Sequence, residues 1–518
     1  MIWHILKKDW RLLWGFIVMV AALQAIAEFA LAKARLSDEN PMLELMAQTL
    51  PILAFFAATF LIVAIVHLDA IPGLRQDWLV RPIRRLDLLV EKLLFIVVAV
   101  EGPIFTVNLA MGLASGFSLR ATLLVAVERV IYLLLFLILP IFAFASVTKN
   151  MTEAFILGCV CAFIMGAFLT VADYANSAAN GTLESIAHTG IGWIGELFRF
   201  AIVLIAAALI LRFQYFFRKT LFSRALVVVF GTILMATVFL PWKPAFAMEE
   251  RLSPNPAAAT NLSLAFNPQV GRYPEPSGLG GNGYFDYGRN TEVFVPLRIS
   301  GMHAGQAIVT DHGELKLFDT AGKLLYHGST IGVEVEHTGS DPTGESRHQR
   351  ISLPSSLYKE LENKPVRAEL EYSFTLFDLS KSYAIPAIGG DERMPGIGWC
   401  KTNVNDAGTA IKLNCIAAGN GPVCGSVTLE NSSQGTQNPE RFWCWPEYSP
   451  YSARPLADAF ARFKIVVPFR DPSGLAKYPV DGPQLPHSQL VIRDDEPQAH
   501  FTRSLVIPQL KLGDWMPR

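Results

Sequence analysis

Residues 123–145 read LLVAVERVIYLLLFLILPIFAFA, and this stretch decides the class of the protein. A helix of about 20 mainly apolar residues is long enough to cross the hydrocarbon core of a bilayer. Six similar segments lie on either side of it, at residues 12–32, 43–66, 89–112, 154–172, 191–211 and 225–241. The sequence therefore predicts an α-helical polytopic membrane domain of about seven transmembrane helices, with the quoted stretch inside the fourth (122–147).

The composition changes after the seventh segment. Of the 518 residues, 51% are hydrophobic and 17% are charged, which is apolar for a soluble protein, and the length predicts at least two domains. Short runs with partial alternation, such as TEVFVPLRIS (291–300) and RFKIVVPFR (462–470), are typical of antiparallel strands. We predict a transmembrane permease-like domain (1–242), an irregular linker (243–292) and a mainly-β, sandwich-like extracytoplasmic domain (293–518).

The distribution of lysine and arginine orients the chain. With a cytoplasmic N-terminus, the inner segments hold 13 of these residues and the short outer loops hold three, which follows the positive-inside rule. Seven crossings then place residues 242–518 outside the cytoplasm of a multi-pass protein in the cell (inner) membrane. The motif Ala245-Phe246-Ala247 after the seventh span also resembles a signal-peptide cleavage site, so cleavage there stays open beside an ordinary last span. The formal net charge of −1 argues against nucleic acid as a partner.

The cysteines support the same compartment. Two of the six lie in a predicted span, where we expect buried apolar residues, and these are Cys159 and Cys161. The other four form an even cluster that predicts two disulfides in an oxidising compartment, with three pairings open. They are Cys400, Cys415, Cys424 and Cys444. Free thiols or a zinc site are the alternatives, and the lack of a C-x-x-C pair disfavours zinc.

Ionisable side chains inside the predicted spans are candidates for function, because a charge in the hydrocarbon core is costly. They are Glu101, Glu128, Arg129, Glu196 and Arg199, with Glu28 near the outer end of the first span. One interpretation is a polar lining for a translocation path. The other is a structural ion pair in which Glu101 meets Arg129 or Arg199.

The loop between the second and third spans, HLDAIPGLRQDWLVRPIRRLDLLVEKLL (67–94), is long and basic. Its Pro and Arg residues are typical of a short helix parallel to the membrane that offers charge to a cytoplasmic partner, or of a simple positive anchor. The segment Asp77-Trp78-Leu79-Val80-Arg81-Pro82-Ile83 resembles the corresponding loop of type-2 ABC transporter permeases, the membrane subunits of ABC exporters. So do Lys7-Lys8-Asp9-Trp10-Arg11 before the first span and Leu88-Leu89-Val90-Glu91-Lys92 at the start of the third.

The resemblance covers about residues 1–240 and rests on short motifs. It implies a coupling segment that seats in a cytoplasmic ABC ATPase subunit, with a homodimer or heterodimer of permeases in the bilayer. The residues that would carry the coupling are Asp77, Trp78, Arg81 and Pro82, with Arg84 and Arg85 beside them. Family members usually have six spans and no large outer domain, whereas this chain has seven predicted spans followed by a large outer domain.

The sequence contains no P-loop, H-E-x-x-H or G-x-S-x-G motif, so ATP hydrolysis would belong to a separate subunit and we predict no enzyme, cofactor or metal site. The runs Asp311-His312-Gly313-Glu314 and Glu334-Val335-Glu336-His337 would supply metal ligands only if they met in space, and surface turn and strand residues are the favoured interpretation. The alternative functions are a membrane-anchored receptor or assembly protein that transports nothing, and a membrane enzyme with an unrecognised site. The transported substrate and the role of the outer domain stay open.

Overall fold

A computed structural model of the chain describes residues 2–34, 41–68, 85–178, 192–217, 219–237, 242–273, 290–330, 334–336, 345–419, 424–438, 441–444, 459–470 and 478–516. The first half is helical. Its helices are α1 (Ile2–Ala34), α2 (Pro41–Leu68), α3 (Arg85–Ile96), α4 (Gly102–Ala114), α5 (Leu119–Leu133), α6 (Leu139–Ser146), α7 (Met151–Ala178), α8 (Gly192–Leu211), α9 (Thr220–Ala236) and α10 (Trp242–Arg251). Single π-helical turns join α3 to α4 (Val97–Glu101) and α5 to α6 (Leu134–Ile138), and a third (Arg212–Phe217) extends α8.

Six of these stretches are long and apolar enough to cross a membrane, and the protein is therefore a multi-pass membrane protein. They are Trp3–Leu31, Met42–Leu68, Leu86–Ala114, Leu119–Ser146, Met151–Val171 and Ile194–Phe217. They match the first six predicted spans. The predicted seventh, residues 225–241, corresponds to α9, whose 17 residues rise only about 25 Å. Among the described residues the count by length and composition is thus six, not seven.

The first span begins earlier than its apolar run. Residues 2–11 are the first turns of α1, which continues unbroken for 33 residues, or about 50 Å. A bilayer core is about 30 Å thick, so roughly 20 Å of this helix projects beyond it.

The helices α1, α2, α3, α6 and α8 pack around a common apolar core that includes Leu61, Phe95 and Phe142. By contrast, only 6% of the span in α7 is buried inside the protein. The cysteines at positions 159 and 161 lie on this helix and are exposed, which corrects the expectation that they are buried. The exposed surface of α7 is apolar, as lipid or a neighbouring membrane helix requires.

The second half is mainly β, as predicted. Its strands are β1 (Ser263–Phe266), β2 (Asn290–Ser300), β3 (Gln306–Phe318), β4 (Leu324–Ser329), β5 (Glu334–Glu336), β6 (Glu345–Pro354), β7 (Val366–Pro386), β8 (Asp391–Met394), β9 (Gly398–Val404), β10 (Ala410–Ala418), β11 (Cys424–Asn431), β12 (Thr436–Gln437), β13 (Arg441–Cys444), β14 (Phe460–Pro468) and β15 (Gln489–Leu510), with one short helix, α11 (Ser355–Leu361). All strand pairs in these sheets are antiparallel.

The strands form three sheets around two cores, where the sequence predicted a single sandwich. A small sheet (β1-β2-β6) packs on one end of a large sheet, and a third sheet (β14-β10-β9-β8) packs on the other end. The large sheet has eight strands, in the order β12-β11-β15-β7-β3-β4, with β13 also paired to β11 and β5 to β3. The long strands β7 and β15, of 21 and 22 residues, run through both cores and pair along their length. Part of the predicted irregular linker is also ordered, since it holds α10 and β1.

The predicted disulfides are present. Cys400 is bonded to Cys415, which lies directly opposite it on the neighbouring strand β10. Cys424 is disulfide-bonded as well, and the backbone register places Cys444 opposite it. The cross-strand register thus selects between the pairings that the sequence left open.

The β-rich half contacts the turn between α4 and α5. Phe117 in this turn stacks on Phe460, with ring centroids 5.7 Å apart, and the guanidinium carbon of Arg393 lies over the Phe117 ring, 5.9 Å from its centroid. Gly116 adopts a φ of +81°, which disfavours other residues, and a Cβ there would lie only 3.1 Å from Cζ3 of Trp399. We call this end of the helix bundle the Phe117 end, and the opposite end, where α1 and α3 begin, the Asp9 end.

Candidate functional site: a polar cavity among the helices

A cavity of about 400 Å³ lies between the first four spans. That volume falls within the range of small-molecule sites, which are mainly apolar with a few convergent polar groups. The polar side chains in its wall are Gln24, Glu28, Thr59, Glu101 and Arg129. The apolar remainder comes from α1, α2, α4, α5 and α6 and from the π-helical turns Val97–Glu101 and Leu134–Ile138. It includes Pro51, Phe55, Val100, Ile104, Leu137 and Ile138.

Arg129 is held by α1 and α4. Its Nη2 lies 2.5 Å from Oε1 of Glu28 and its Nη1 lies 2.8 Å from Oε2, so the two side chains form a bidentate pair. Nη1 also donates to Oδ1 of Asn108 at 3.0 Å, and the amide of Asn108 donates in turn to the carbonyl of Ile104 at 2.8 Å. The Arg129 side chain is 4% exposed, so this is a buried ion pair. The sequence pointed to Arg129 but not to Glu28 as its partner.

Glu101 lies in the same cavity without such a partner. It is 1% exposed, and neither of its carboxylate oxygens has a hydrogen-bond partner among the described residues. The ion pair that the sequence offered for it, to Arg129 or Arg199, is absent from the described ion pairs. A buried carboxylate with no hydrogen bond is costly, so Glu101 is the group in this wall that a proton or a cationic ligand would stabilise most.

The backbone around Glu101 is irregular. Glu101 ends the π-helical turn Val97–Glu101, directly before Gly102-Pro103, and the turn Leu134–Ile138 lies in the same cavity wall before Pro140. π-helical turns are rare in proteins and are frequently found at functional sites. The two turns widen their helices where the cavity lies, which the sequence signalled only through the two prolines.

The other ionisable residues predicted inside the spans do not join this site. Glu128 is half-buried and lies outside the cavity wall, as do the two on α8. Of those two, Arg199 donates to the hydroxyl of Thr237 at 3.3 Å, near the end of α9. From the predicted set, the structure therefore unites Glu28, Glu101 and Arg129 in the cavity wall.

A second buried cluster lies at the Asp9 end. The Nζ atom of Lys92 lies 2.6 Å from Oδ2 of Asp9 and 3.6 Å from Oε2 of Glu91, and all three side chains are at most 2% exposed. One helical turn after Lys92, the ring of Phe95 packs edge-on against the ring of Trp10, with the ring centroids 5.9 Å apart. The two short motifs that carry the family resemblance, before the first span and at the start of the third, are thus joined in space. No local pattern indicates this pairing, because Asp9 and Lys92 are 83 positions apart.

The predicted coupling residues Asp77, Trp78, Arg81, Pro82 and Arg84 lie outside the described residues, and Arg85 is the first residue of α3. Their role stays a prediction. The described part of the chain fixes only where their segment is attached, between the end of α2 and the beginning of α3.

A third cluster lies in the β-rich half, and we call its four members, Glu249, Asp311, Thr375 and His500, the Glu249 cluster. The hydroxyl of Thr375 donates to Oδ2 of Asp311 at 2.6 Å and lies 2.8 Å from Nδ1 of His500, which is 4.0 Å from Oε1 of Glu249. Burial raises the pKa of Asp311 to about 7, although the Thr375 hydroxyl acts in the opposite direction. Burial also lowers the pKa of His500 to about 4. The sequence had singled out only Asp311 of these residues.

Comparison with known proteins adds little to this geometry. No model of a known protein family matches the chain, and no curated protein matches it. Among solved structures it is similar to red sea bream transglutaminase, with 13% identity over 48% of this chain and 31% of that one, so the match spans about a third of the transglutaminase. The TM-score is 0.13, too low to support an argument about fold or activity.

Proposed function

We propose that this chain is the membrane-spanning permease subunit of an ABC-type exporter, driven by ATP hydrolysis in a separate cytoplasmic ATPase. The observation that carries the proposal is the polar cavity among the first four spans, with the unpartnered carboxylate of Glu101 in its wall. In the alternative function, a membrane-anchored receptor, the helices only have to pack against one another. A cavity of about 400 Å³ with buried charged side chains in its wall would be costly there and would serve no purpose.

The attachment of the coupling segment supports the same proposal. Residues 69–84 lead into α3, and Lys92 in α3 is bonded to Asp9 in α1 within two helical turns. A displacement of the segment by an ATPase would therefore move α3 and α1 together. Both helices, through Glu28 in α1 and through Glu101 at the end of the π-helical turn after α3, contribute to the cavity wall. Differential binding of the ATPase to two states of the bundle would then change access to the cavity.

The proposed topology has the N-terminus in the cytoplasm and the β-rich half outside it. The β-rich half contacts the Phe117 end, one crossing away from the Asp9 end, so an odd number of crossings separates it from the N-terminus. The helix α9 supplies the additional crossing in this proposal. Arg224 near its start bonds Val147 and Glu153 at the turn between α6 and α7, and Thr237 just after its end bonds Arg199 near the start of α8. The missing length of α9 is within what local thinning of a bilayer accommodates.

The test of function is co-purification from the native host in gentle detergent. We expect a stoichiometric ATPase with a P-loop, which is lost when Asp77 and Arg81 are replaced by alanine. Arg120→Ala is the matched control, because Arg120 is an exposed cation at the Phe117 end. If the wild-type chain carries no ATPase, the receptor or assembly role takes the place of the permease.

The test of topology is labelling with a membrane-impermeant maleimide in spheroplasts, in a Cys159→Ser, Cys161→Ser background. Lys511 in the β-rich half and Lys149 at the Asp9 end are both exposed and suit single cysteine substitutions. We expect Lys511→Cys to react in intact spheroplasts and Lys149→Cys to react only after permeabilisation. The reverse pattern would invert the proposed orientation and would separate the predicted coupling segment from any cytoplasmic ATPase.

A further inference from the structure

Three separate elements bring metal-ligand side chains together in the β-rich half. Glu249 lies in the last turn of α10, Asp311 in β3 and His500 in β15, and one potential ligand atom from each lies within 4.8 Å of the others. The residues are up to 251 positions apart in sequence, so the cluster is a product of the fold. All three are buried or half-buried, with Glu249 only 7% exposed.

Asp311 occupies an irregular position in its strand. In the pairing of β3 with β7, Thr310 lies opposite Phe374 and His312 lies opposite Ser373, which leaves Asp311 as the extra residue of a β-bulge. A bulge re-aims a side chain relative to the regular alternation of a strand, and bulges are frequent beside functional sites. Here the bulge directs the carboxylate of Asp311 toward Thr375 of β7. Thr375 in turn lies directly opposite His500 in the pairing of β7 with β15.

A second irregularity fixes His500. The register between β15 and β7 shifts between Pro497 and Ala499, two residues before His500. The carbonyl of the skipped residue, Gln498, accepts a hydrogen bond of 2.7 Å from the backbone N–H of Asn255, and the His500 N–H donates to Oγ of Ser253 at 2.9 Å. These bonds tie the chain that leaves α10 to the strand that presents the imidazole. These bonds fix the position of His500 relative to the end of α10, where Glu249 lies.

We propose that Glu249, Asp311 and His500 form a binding site for a divalent transition-metal cation, with Zn²⁺ as the best fit. One imidazole nitrogen and two carboxylate oxygens match the ligand types of zinc sites with three protein ligands and an open position. Calcium takes six to eight oxygen ligands, which this cluster does not provide among the described residues. With metal–ligand bonds of about 2.0–2.2 Å the ligand atoms would lie about 3.5 Å apart, so the site closes by about an ångström on binding.

Thr375 has a supporting role in this site. Its hydroxyl lies within hydrogen-bond distance of both Asp311 and His500 in the metal-free structure. On metal binding it would keep its donor bond to one oxygen of Asp311 and so orient the carboxylate, as outer-shell partners do in metal sites.

The consequence of such a site is a cross-link between the membrane-proximal helix and the sheet. α10 follows α9 by a short connection, and Lys243 at its start already bonds Glu314 of β3 at 2.9 Å. A cation between Glu249 and the two strands would fix the other end of α10 on the same sheet. The metal would then stiffen the connection between the helix bundle and the β-rich half.

The experiment measures zinc bound to the full-length protein in detergent, purified with a histidine-free tag in a Cys159→Ser, Cys161→Ser background so that thiols do not contribute. After removal of metal with a chelator, addition of Zn²⁺ and gel filtration, we expect roughly one zinc per chain by mass spectrometry of the element. Equal additions of Ca²⁺ or Mg²⁺ should leave far less than one ion per chain.

Substitutions locate the ion. Glu249→Gln, Asp311→Asn and His500→Ala should each reduce bound zinc at least tenfold, whereas the exposed controls Asp406→Asn and His487→Ala should bind as the parent does. Glu249→Gln changes a helix outside the sheet, so its melting temperature in chelator should equal that of the parent while the rise caused by zinc disappears. A parent protein that retains no zinc, or a Glu249→Gln protein that retains all of it, would overturn the site.

Discussion

At the scale of single residues, two glutamates in one cavity differ in what they bind. Glu28 is paired with Arg129 through two short bonds, whereas Glu101 has no hydrogen-bond partner among the described residues. Removal of one member of a buried ion pair leaves the other charge uncompensated and costs about 3–5 kcal/mol. Replacement of the Glu101 carboxylate breaks no hydrogen bond among the described residues, so we expect it to cost little.

We therefore expect Glu28→Gln to lower the stability of the detergent-solubilised protein by about 3–5 kcal/mol. Glu101→Gln, the matched variant, should change it by less than about 1 kcal/mol and in either direction. Thermal unfolding of both variants beside the parent measures the difference. Equal losses for the two would mean that Glu101 holds the bundle together, as the structural interpretation of the sequence had it.

A second residue-scale prediction concerns acid. Burial alone would raise the pKa of Glu314, but hydrogen bonds from Lys316, Lys243 and His327 outweigh it and lower the pKa from 4.5 to about 2. A carboxylate with a lowered pKa in the folded state contributes stability that is complete above its unfolded value and is lost as the pH falls through the folded value.

The β-rich half should therefore lose stability as the pH falls from about 4.5 toward about 2. In Glu314→Gln the part of this loss that Glu314 causes is absent, so the melting temperature should fall by fewer degrees between pH 5 and pH 3 than in the parent. The parent and the variant are compared at both values by thermal unfolding. Identical pH slopes would show that other carboxylates govern the acid sensitivity.

At the scale of elements, the contact at the Phe117 end depends on a glycine in α4. A Cβ on Gly112 would meet Cζ of Phe460 at 2.5 Å and Cγ2 of Thr122 at 2.4 Å. The first of these atoms belongs to the β-rich half and the second to α5. Gly112 is therefore the point of closest approach between three elements, and only the absence of a side chain allows it.

Gly112→Ala should cost about 1–3 kcal/mol, the usual cost of an additional carbon in a packed site, and should loosen the β-rich half from the bundle. Gly158→Ala in α7 is the control, because a Cβ there meets nothing within 4 Å and alanine favours a helix over glycine by about 1 kcal/mol. Limited proteolysis beside thermal unfolding separates loosening from general unfolding. A Gly112→Ala protein as stable and as protease-resistant as Gly158→Ala would contradict the packing described here.

At the scale of the whole molecule, the sequence predicted those features that depend on local composition. Runs of about 20 apolar residues marked six spans, and the even cysteine cluster marked the disulfides. The seventh predicted segment, 225–241, is not counted among the spans because α9 has only 17 residues and rises about 25 Å. The resemblance to a family of permeases is neither confirmed nor contradicted by the comparisons.

The site could be predicted only in part, because its contacts join distant residues. Arg129 and Glu101 were found as charges in apolar runs, which is a local signal. The partners Glu28 and Asp9 lie near helix ends, where charges are ordinary, and nothing local connects them to residues 101 and 83 positions away. The Glu249 cluster depends on two strand irregularities that leave no mark on the pattern of apolar residues.

The shared strands lead to a prediction for the folding of the β-rich half. β7 and β15 contribute buried residues to both cores, such as Leu370 and Phe501 in the first and Ile385 and Leu490 in the second. If β7 and β15 detach from one core, the other core loses them as well. We therefore expect one unfolding transition for residues 290–516. Leu413→Ala removes a fully buried side chain of the second core and should cost about 2–5 kcal/mol.

Hydrogen exchange read by mass spectrometry measures how far that loss spreads. If the cores are coupled, Leu413→Ala should speed exchange of the slowest amides in β2 and β6, which belong only to the first core, by the same factor as those in β10. The control is Ile388→Ala, an exposed apolar side chain near the end of β7, which should alter neither. Faster exchange confined to β10 and β14 would mean two independent units. In that case the long strands would join the cores mechanically without making them one cooperative domain.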